Sequence, residues 1–174
     1  RAVRLDLSIV SVETDGLIEN TVYCEGPRLG FSFRDIEDLV IAPDQSGCSG
    51  RLVDLYLPEN RLDIFLFPPG NFLPSITESN LEGVRMGLEK EHGDRLHSSG
   101  EEERVPSNTF EVAGNPWGKL SYRIGPDDGE SRAFVDFFCL LDGHTLVFRL
   151  HGTPSWVEDH VPQIKRALSG LERN

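Results

Sequence analysis

The last roughly sixty residues constrain the fold most, because they predict three strands followed by one helix. Apolar-rich segments lie at 119–124, 132–141 and 145–150. The last two are separated by Asp142 and Gly143, a pair that is typical of a two-residue hairpin turn. Apolar residues then recur at intervals of four, three, four and three, which places them on one helical face: Val157, Val161, Ile164, Leu168 and Leu171. We therefore predict an antiparallel meander covered by an amphipathic helix.

Two helices have signals at their ends. Ser79 and Glu82 have the spacing of a capping box, in which each side chain bonds to a free amide of the first turn. We therefore expect a first helix at about 78–92. Pro162 lacks an amide hydrogen and its ring clashes with the preceding helical turn. For this reason we expect the second helix at about 161–171, after a short turn.

The N-terminal part of the chain predicts further strands. Residues 3–12 alternate between apolar and polar side chains, which is the period of a half-buried strand. The segments 52–57 and 62–67 have the pattern of a second hairpin. Together these elements predict the α+β class, with a mostly antiparallel β-sheet flanked by two main helices.

One polar segment interrupts this pattern. Residues 94–106 include Glu101, Glu102 and Glu103. The segment has too few apolar side chains to become ordered by burying them. We predict a mobile acidic loop there. The hydrophobic share of the whole chain is 38%, which suits a folded core, and the length suits a single globular domain over residues 1–174.

The charge of the chain restricts its partners. The formal net charge is −12 at pH 7 and the sequence pI is about 4.8. Nucleic acid and anionic membrane surfaces are poor partners for such a protein, because phosphate binding needs a positive surface. No apolar run approaches the roughly 20 residues that span a bilayer, so we expect no membrane insertion of this chain. A protein partner with a basic surface is the expectation that follows.

The three cysteines divide into a candidate pair and a core residue. Cys24 and Cys48 lie in turn-rich segments, where a disulfide between them would staple the N-terminal region of an exported protein. Cys139 lies in the apolar run of a predicted central strand, where we expect an unreactive buried thiol. The chain begins with Arg1, which leaves open that an upstream signal has been removed. We favour an exported or periplasmic location, and a cytoplasmic location stays open.

Histidines and acidic residues are the main candidates for catalysis or metal binding. His144 and His151 share one predicted strand, and at about 3.3 Å per residue they lie more than about 20 Å apart and cannot bind one ion. Glu158, Asp159 and His160 cluster before the last helix, close to His151 in sequence. This grouping supports one alternative, a small hydrolase or metal-dependent enzyme. The sequence has no nucleophile elbow and no phosphate-binding glycine loop, so we predict no catalytic residue, metal site or cofactor.

The order of elements resembles the PsbP-like family over roughly residues 30–171. The segment Gly30-Phe31-Ser32-Phe33 stands where that family often has a strand rich in Gly and Phe. The segment Phe67-Pro68-Pro69-Gly70-Asn71-Phe72 precedes the first predicted helix, and Leu168-Ser169-Gly170-Leu171 resembles the end of the family's closing helix. The resemblance implies an αβα sandwich around an antiparallel sheet. It also implies a non-catalytic accessory protein that binds other proteins, often outside the cytoplasm.

We therefore expect a protein-binding module whose acidic surface suits a basic partner. Aromatic side chains ringed by charge are typical of interfaces, which leads us to predict contacts at the acidic loop and at two tryptophans. These contact residues are Glu101, Glu102, Glu103, Trp117 and Trp156. A further alternative is a small-ligand carrier with a cavity between the sheet and a helix.

Overall fold

The computed structural model describes residues 3–15, 19–34, 36–42, 49–69, 73–126 and 130–174, and for 9–15 and 19–27 it describes the backbone alone. The helices are α1 (Glu78–His92), which a 3-10 turn at Gly93–Arg95 follows, and α2 (Pro154–Ser169). The strands in chain order are β1 (Val3–Asp15), β2 (Glu19–Phe33), β3 (Leu39–Ile41), β4 (Ser49–Asp54), β5 (Arg61–Phe67), β6 (Leu96–Ser98), β7 (Ser107–Val112), β8 (Asn115–Ile124), β9 (Arg132–Leu141), β10 (His144–Gly152) and β11 (Glu172–Arg173).

The described strands form two antiparallel sheets. The larger sheet has the order β3-β4-β5-β10-β9-β8-β6, and β7 also pairs with β8. One edge of β8 pairs with β9, and its other edge is shared by β7 at 115–120 and by β6 at 122–124. The smaller sheet consists of β1, β2 and β11. The predicted C-terminal meander is confirmed as β8, β9 and β10.

The two faces of the larger sheet bury different layers. Its front face carries Phe137 and Phe148 and packs against α2 and the smaller sheet. The rings of Phe31 and Phe33 from β2 meet Phe148 edge-on, at centroid distances of 6.3 and 5.9 Å. The back face of the larger sheet carries Phe138 and packs against α1. The sheet therefore lies between two helices, which confirms the α+β class and the αβα sandwich.

The start of α2 differs from the prediction. The sequence predicts a start near 161, but the helix begins at Pro154 and contains Pro162. Pro154 suits the first helical position, where an amide hydrogen has no partner in any case. A proline inside a helix, such as Pro162, destabilises it by about 3 kcal/mol. Val157 before it and Ile164 after it are both buried, and burial of each side chain stabilises the fold by roughly 1.5–3 kcal/mol. Burial of both halves of the apolar stripe outweighs the proline.

The range of α1 matches the predicted 78–92, but its surroundings differ. Its cap is Thr77, whose hydroxyl accepts a hydrogen bond from an amide of the first turn at 3.2 Å.

Gly83 and Gly87 of α1 lie four residues apart, a spacing that predicts close packing on a sheet. That prediction is wrong, because a Cβ atom at either position would have nothing within 4 Å. Instead, the glycines line an open groove of about 520 Å³ together with Arg149.

The polar segment predicted at 94–106 is partly ordered into regular structure. Residues 94–98 belong to the 3-10 turn and to β6, so the segment outside helix and strand is 99–106. Arg104 near its end forms ion pairs at 2.9 Å with two glutamates of α1. The predicted contact residues of this segment are exposed: Glu101, Glu102 and Glu103.

Candidate functional site

The connection between β4 and β5 exposes three large apolar side chains. Leu55, Tyr56 and Leu57 have exposed fractions of 63%, 86% and 50%, and we call them the apolar tip. The sequence pattern of 52–57 predicts a strand, but β4 ends at Asp54, so these side chains leave the sheet. A contiguous exposed apolar cluster marks an interaction surface more often than scattered apolar residues do.

Asp54 holds the apolar tip in one conformation. Its Oδ1 accepts hydrogen bonds from the amides of Tyr56 and Leu57 at 2.8 and 2.9 Å, as in an Asx turn. Its Oδ2 accepts a hydrogen bond from Nε1 of Trp156 at 3.0 Å. The hydrogen bond from the Leu57 amide contributes most to lowering the pKa of Asp54. The carboxylate is therefore ionised at neutral pH and joins the tip to α2.

Asn60 closes the same loop from its other end. The residue is fully buried, its amide donates to the carbonyl of Leu57 at 2.9 Å, and its carbonyl accepts from the amide of Asp54 at 2.9 Å. Its side-chain Oδ1 accepts a hydrogen bond from the amide of Thr153, directly before α2, at 3.0 Å. Both ends of the loop are thus fixed, so the apolar tip loses little backbone freedom when it binds.

Trp156 is the predicted contact residue that lies at this surface. Its indole is half-buried, donates to Asp54, and stacks on the ring of His160 with centroids 4.2 Å apart. Two acidic residues are exposed nearby in the chain, Glu59 in the loop itself and Asp159 in the same turn of α2 as His160. With Asp54, they place three acidic residues in the loop and in the helix that support the apolar tip.

The other predicted contact residues do not join this surface. Trp117 is 3% exposed, and its ring lies 6.5 Å from that of Phe148 in the front-face core. Trp117 therefore offers almost no exposed surface for the predicted contact, because residues 115–124 form β8 between neighbouring strands. The glutamates of the segment 99–106 are exposed beside α1 on the back face, so they form a separate surface.

The cysteine predictions have different outcomes. The pairing of Cys24 with Cys48 lies outside the described residues, since the structure describes the backbone alone at Cys24 and does not describe Cys48. Cys139 is buried in β9, which confirms the prediction that it is a core residue. Burial raises the pKa of its thiol, which disfavours the reactive thiolate.

The back face carries a buried charge network. Asp63 accepts hydrogen bonds from Nε of Arg51 at 2.8 Å and from Nε of Arg61 at 3.1 Å, and it lies 2.7 Å from Nε2 of His151. Arg132 donates from Nε to Nδ1 of His151 at 2.9 Å. Nε of Arg61 lies 3.1 Å from Nε2 of His151, but the Asp63 carboxylate at 2.7 Å can only accept, so the imidazole proton lies on Nε2 and is donated to Asp63. Burial lowers the pKa of His151. The neutral ring therefore bridges residues of three neighbouring strands.

A second buried acid extends this network. Asp136 accepts hydrogen bonds from Arg149 at 2.9 and 3.2 Å and from the hydroxyl of Tyr122 at 2.7 Å. The ring of Phe134 is stacked between Tyr122 and His151, 5.1 Å from each. Positive and negative side chains thus alternate across β4, β5, β10 and β9, and each carboxylate has at least one arginine partner. This is the arrangement of a structural network.

The enzyme alternative requires four groups to converge. His151 lies on the back face, whereas Glu158, Asp159 and His160 lie on α2, which packs against the front face. In the part of the chain that the structure describes, no group of three His, Cys, Asp or Glu side chains is placed to hold a metal ion. The described residues therefore do not form the cluster that the enzyme alternative requires.

Comparison with known proteins concerns the architecture. No protein-family model matches the chain, and no curated protein matches it. Among solved structures, the chain is similar to cyanobacterial PsbP (CyanoP) from Synechocystis sp. PCC 6803, with a TM-score of 0.58 and 12% sequence identity over 83% of this chain and 86% of that chain. The fold is PsbP-like. A Pseudomonas aeruginosa protein of unknown function gives a TM-score of 0.46 and 9% identity over 92% of this chain and 94% of that chain.

The PsbP-like fold confirms the resemblance found in the sequence at the level of architecture. Unrelated functions share folds, and at 12% identity the likeness shows the fold alone. The function of this PsbP-like chain therefore has to be argued from its own side chains.

Sequence reasoning misses the apolar tip of this PsbP-like chain. Leu55 and Leu57 continue the alternation of the preceding strand, which predicts two more strand residues. The signals that could have ended the strand earlier are Asp54, because an Asp side chain readily accepts the amides of a turn, and Pro58, which lacks an amide for strand pairing.

Proposed function

We propose that this PsbP-like protein is a non-catalytic binding module that inserts its apolar tip into an apolar pocket of a partner protein. The observation that carries the proposal is the exposure of Leu55, Tyr56 and Leu57 on a loop fixed by Asp54 and Asn60. A few buried aromatic side chains dominate the binding energy of many interfaces. Tyr56 is the most exposed of the three and is the proposed anchor.

The charge of the surface supports a basic partner. Asp54 ends β4, Glu59 belongs to the connection that carries the tip, Asp159 lies on α2, and the net charge of the chain is −12. Lys or Arg side chains around the partner's pocket would complement these acidic residues and accelerate association. No helix in the described ranges is long and apolar enough to cross a membrane.

The acidic segment is a second proposed contact surface. Glu101, Glu102 and Glu103 are exposed, and Arg104 attaches the same segment to α1. The apolar tip is attached to α2 instead, through Trp156. Because different helices support them, the two surfaces can be altered separately.

Site-specific photocrosslinking tests the proposal. A benzoylphenylalanine that replaces Tyr56, in cells that naturally make the protein, would capture the partner, and mass spectrometry would locate the crosslinked peptide. We expect an adduct with one partner protein, at an apolar pocket flanked by Lys or Arg. The same photoreactive residue in place of Met86, which is 58% exposed on α1, is the matched control.

The captured partner permits a quantitative test. Tyr56→Ser is expected to raise the Kd for the purified partner at least about tenfold, whereas Met86→Ser leaves it unchanged. A Kd that Tyr56→Ser leaves unchanged, and that the triple variant Glu101→Gln, Glu102→Gln, Glu103→Gln raises, would assign the contact to the acidic segment and refute the role of the tip.

A further inference from the structure

A cavity of about 320 Å³ lies between the first half of α2 and the front face of the sheet. Its volume falls within the range of about 300–1,000 Å³ that is usual for small-molecule sites. One side of the cavity, which we call the valine wall, consists of apolar side chains of β9 and α2: Val135, Val157 and Val161. Polar side chains of the neighbouring strand β8 complete the lining on the sheet, so the cavity suits a ligand with two chemically different ends.

The polar side comes from three residues of β8. Lys119, Ser121 and Arg123 line the cavity, and they occupy alternate positions of the strand, which direct side chains to one face. The preceding residue of this row, Trp117, belongs to the apolar front-face core. The row of front-face side chains on β8 therefore changes from apolar to cationic at the cavity next to α2.

The two cations of this row have no described acidic partner. The side chain of Lys119 is half-buried, burial lowers its pKa, and the charge of Lys165 lowers it further. Arg123 donates to neutral groups, the carbonyl of Ser98 and the hydroxyl of Ser131, both at 3.2 Å. The lining has these two cations and one acid, Glu158, so an anion that entered the cavity would balance its charge in a partly desolvated site, where such an ion pair is strong.

We propose that this cavity binds a small amphipathic carboxylate. The carboxylate pairs with the Lys119 ammonium, and the apolar body of the ligand lies against the valine wall. Pro154, the first residue of α2, also lines the cavity, and the positive end of the helix dipole there attracts an anion. Glu158 is the acidic lining residue, and its charge favours a ligand with one negative charge over a polyanion.

An NMR titration with sodium octanoate tests the proposal. We expect saturable chemical-shift changes that are confined to the amides of β8, β9 and the first half of α2. The matched probe 1-octanol has the same chain without the charge, and we expect it to bind at least about tenfold more weakly. Equal binding of the two probes, or shift changes spread over the whole protein, would overturn the proposal.

Variants at Lys119 separate the charge from the packing. Lys119→Met retains most of the aliphatic stem, and we expect it to weaken octanoate binding at least about tenfold, whereas Lys119→Arg keeps the binding. Lys90→Met, the same substitution on α1, is the control and should bind as the wild type does. Octanoate binding that survives Lys119→Met would refute the site. If that variant does not fold, the octanol comparison and Lys119→Arg decide the question.

Discussion

Asp63 is the buried acid whose removal tests the charge network most directly. Its side chain is 7% exposed and is bonded to Arg51, Arg61 and His151. Burial alone would raise its pKa, but the hydrogen bonds from His151 and Arg51 outweigh that effect and lower the pKa from the ordinary 3.8 to about 2. We therefore expect Asp63→Asn to remove a pH-dependent part of the free energy of unfolding.

The pKa sets the magnitude of this effect. A shift of one pKa unit corresponds to about 1.4 kcal/mol, so the lowered pKa of Asp63 corresponds to about 2 kcal/mol of stability. Because the pKa is lower in the folded state than in the unfolded state, this stability is complete above about pH 4 and is lost as the pH falls toward about 2. Asp63→Asn should therefore be less stable at neutral pH by about 2 kcal/mol or more, since Arg51 and Arg61 lose their carboxylate.

Urea unfolding, followed by tryptophan fluorescence in steps from about pH 7 to about pH 2, measures these free energies. The stabilities of the wild type and Asp63→Asn should converge as the pH falls. Asp6→Asn is the control, because Asp6 forms an exposed ion pair with Arg28 at 4.0 Å and should contribute little at any pH. Parallel pH profiles for the wild type and Asp63→Asn would refute the reasoning.

Three further predictions concern packing and burial. Gly152→Ala should destabilise the protein by about 1–3 kcal/mol in urea unfolding, because the added Cβ would collide with Oδ1 of Asn60 and lie 2.9 Å from its Cγ. Gly87→Ala, whose Cβ would meet nothing within 4 Å, should instead stabilise α1 by up to about 1 kcal/mol, and a loss of stability there would contradict the open groove. Cys139 should resist iodoacetamide at about pH 8 in the folded protein and react in concentrated urea. Peptide mass spectrometry measures the labelling, and labelled Cys139 in the folded state would contradict its burial.

The C-terminal meander and α1 could be predicted because their signals are local. Asp142 and Gly143 both have positive φ, at 51° and 78°, a conformation that this pair of residues tolerates in a hairpin turn. The apolar pattern of 78–92 likewise depends on residues within one helix, although the helix is capped by Thr77 and not by the predicted Ser79. Local signals fail at Pro162, because the packing that compensates for a proline in mid-helix comes from the sheet.

The candidate sites depend on contacts between segments that are far apart in sequence. Trp117 follows turn residues, yet pairing with two neighbouring strands places it in the core. The alternation of Lys119, Ser121 and Arg123 is visible in the sequence, but it does not reveal that α2 covers this face. The apolar tip is fixed from α2 by Trp156, 102 residues after Asp54. Sequence patterns alone do not predict a hydrogen bond of such separation.

The strand order has a consequence for synthesis on the ribosome. β5 pairs with β4 on one edge and with β10 on the other, and β10 begins only at His144. In a nascent chain that ends before that residue, the edge of β5 that later pairs with β10 has unpaired amides and carbonyls. Such an edge is a template for aggregation. Completion of the sheet from its last-made strands requires long-range pairing, which is slow. The first 143 of the 174 residues therefore have to be kept from associating until the ribosome has made β10, the central strand of the sheet.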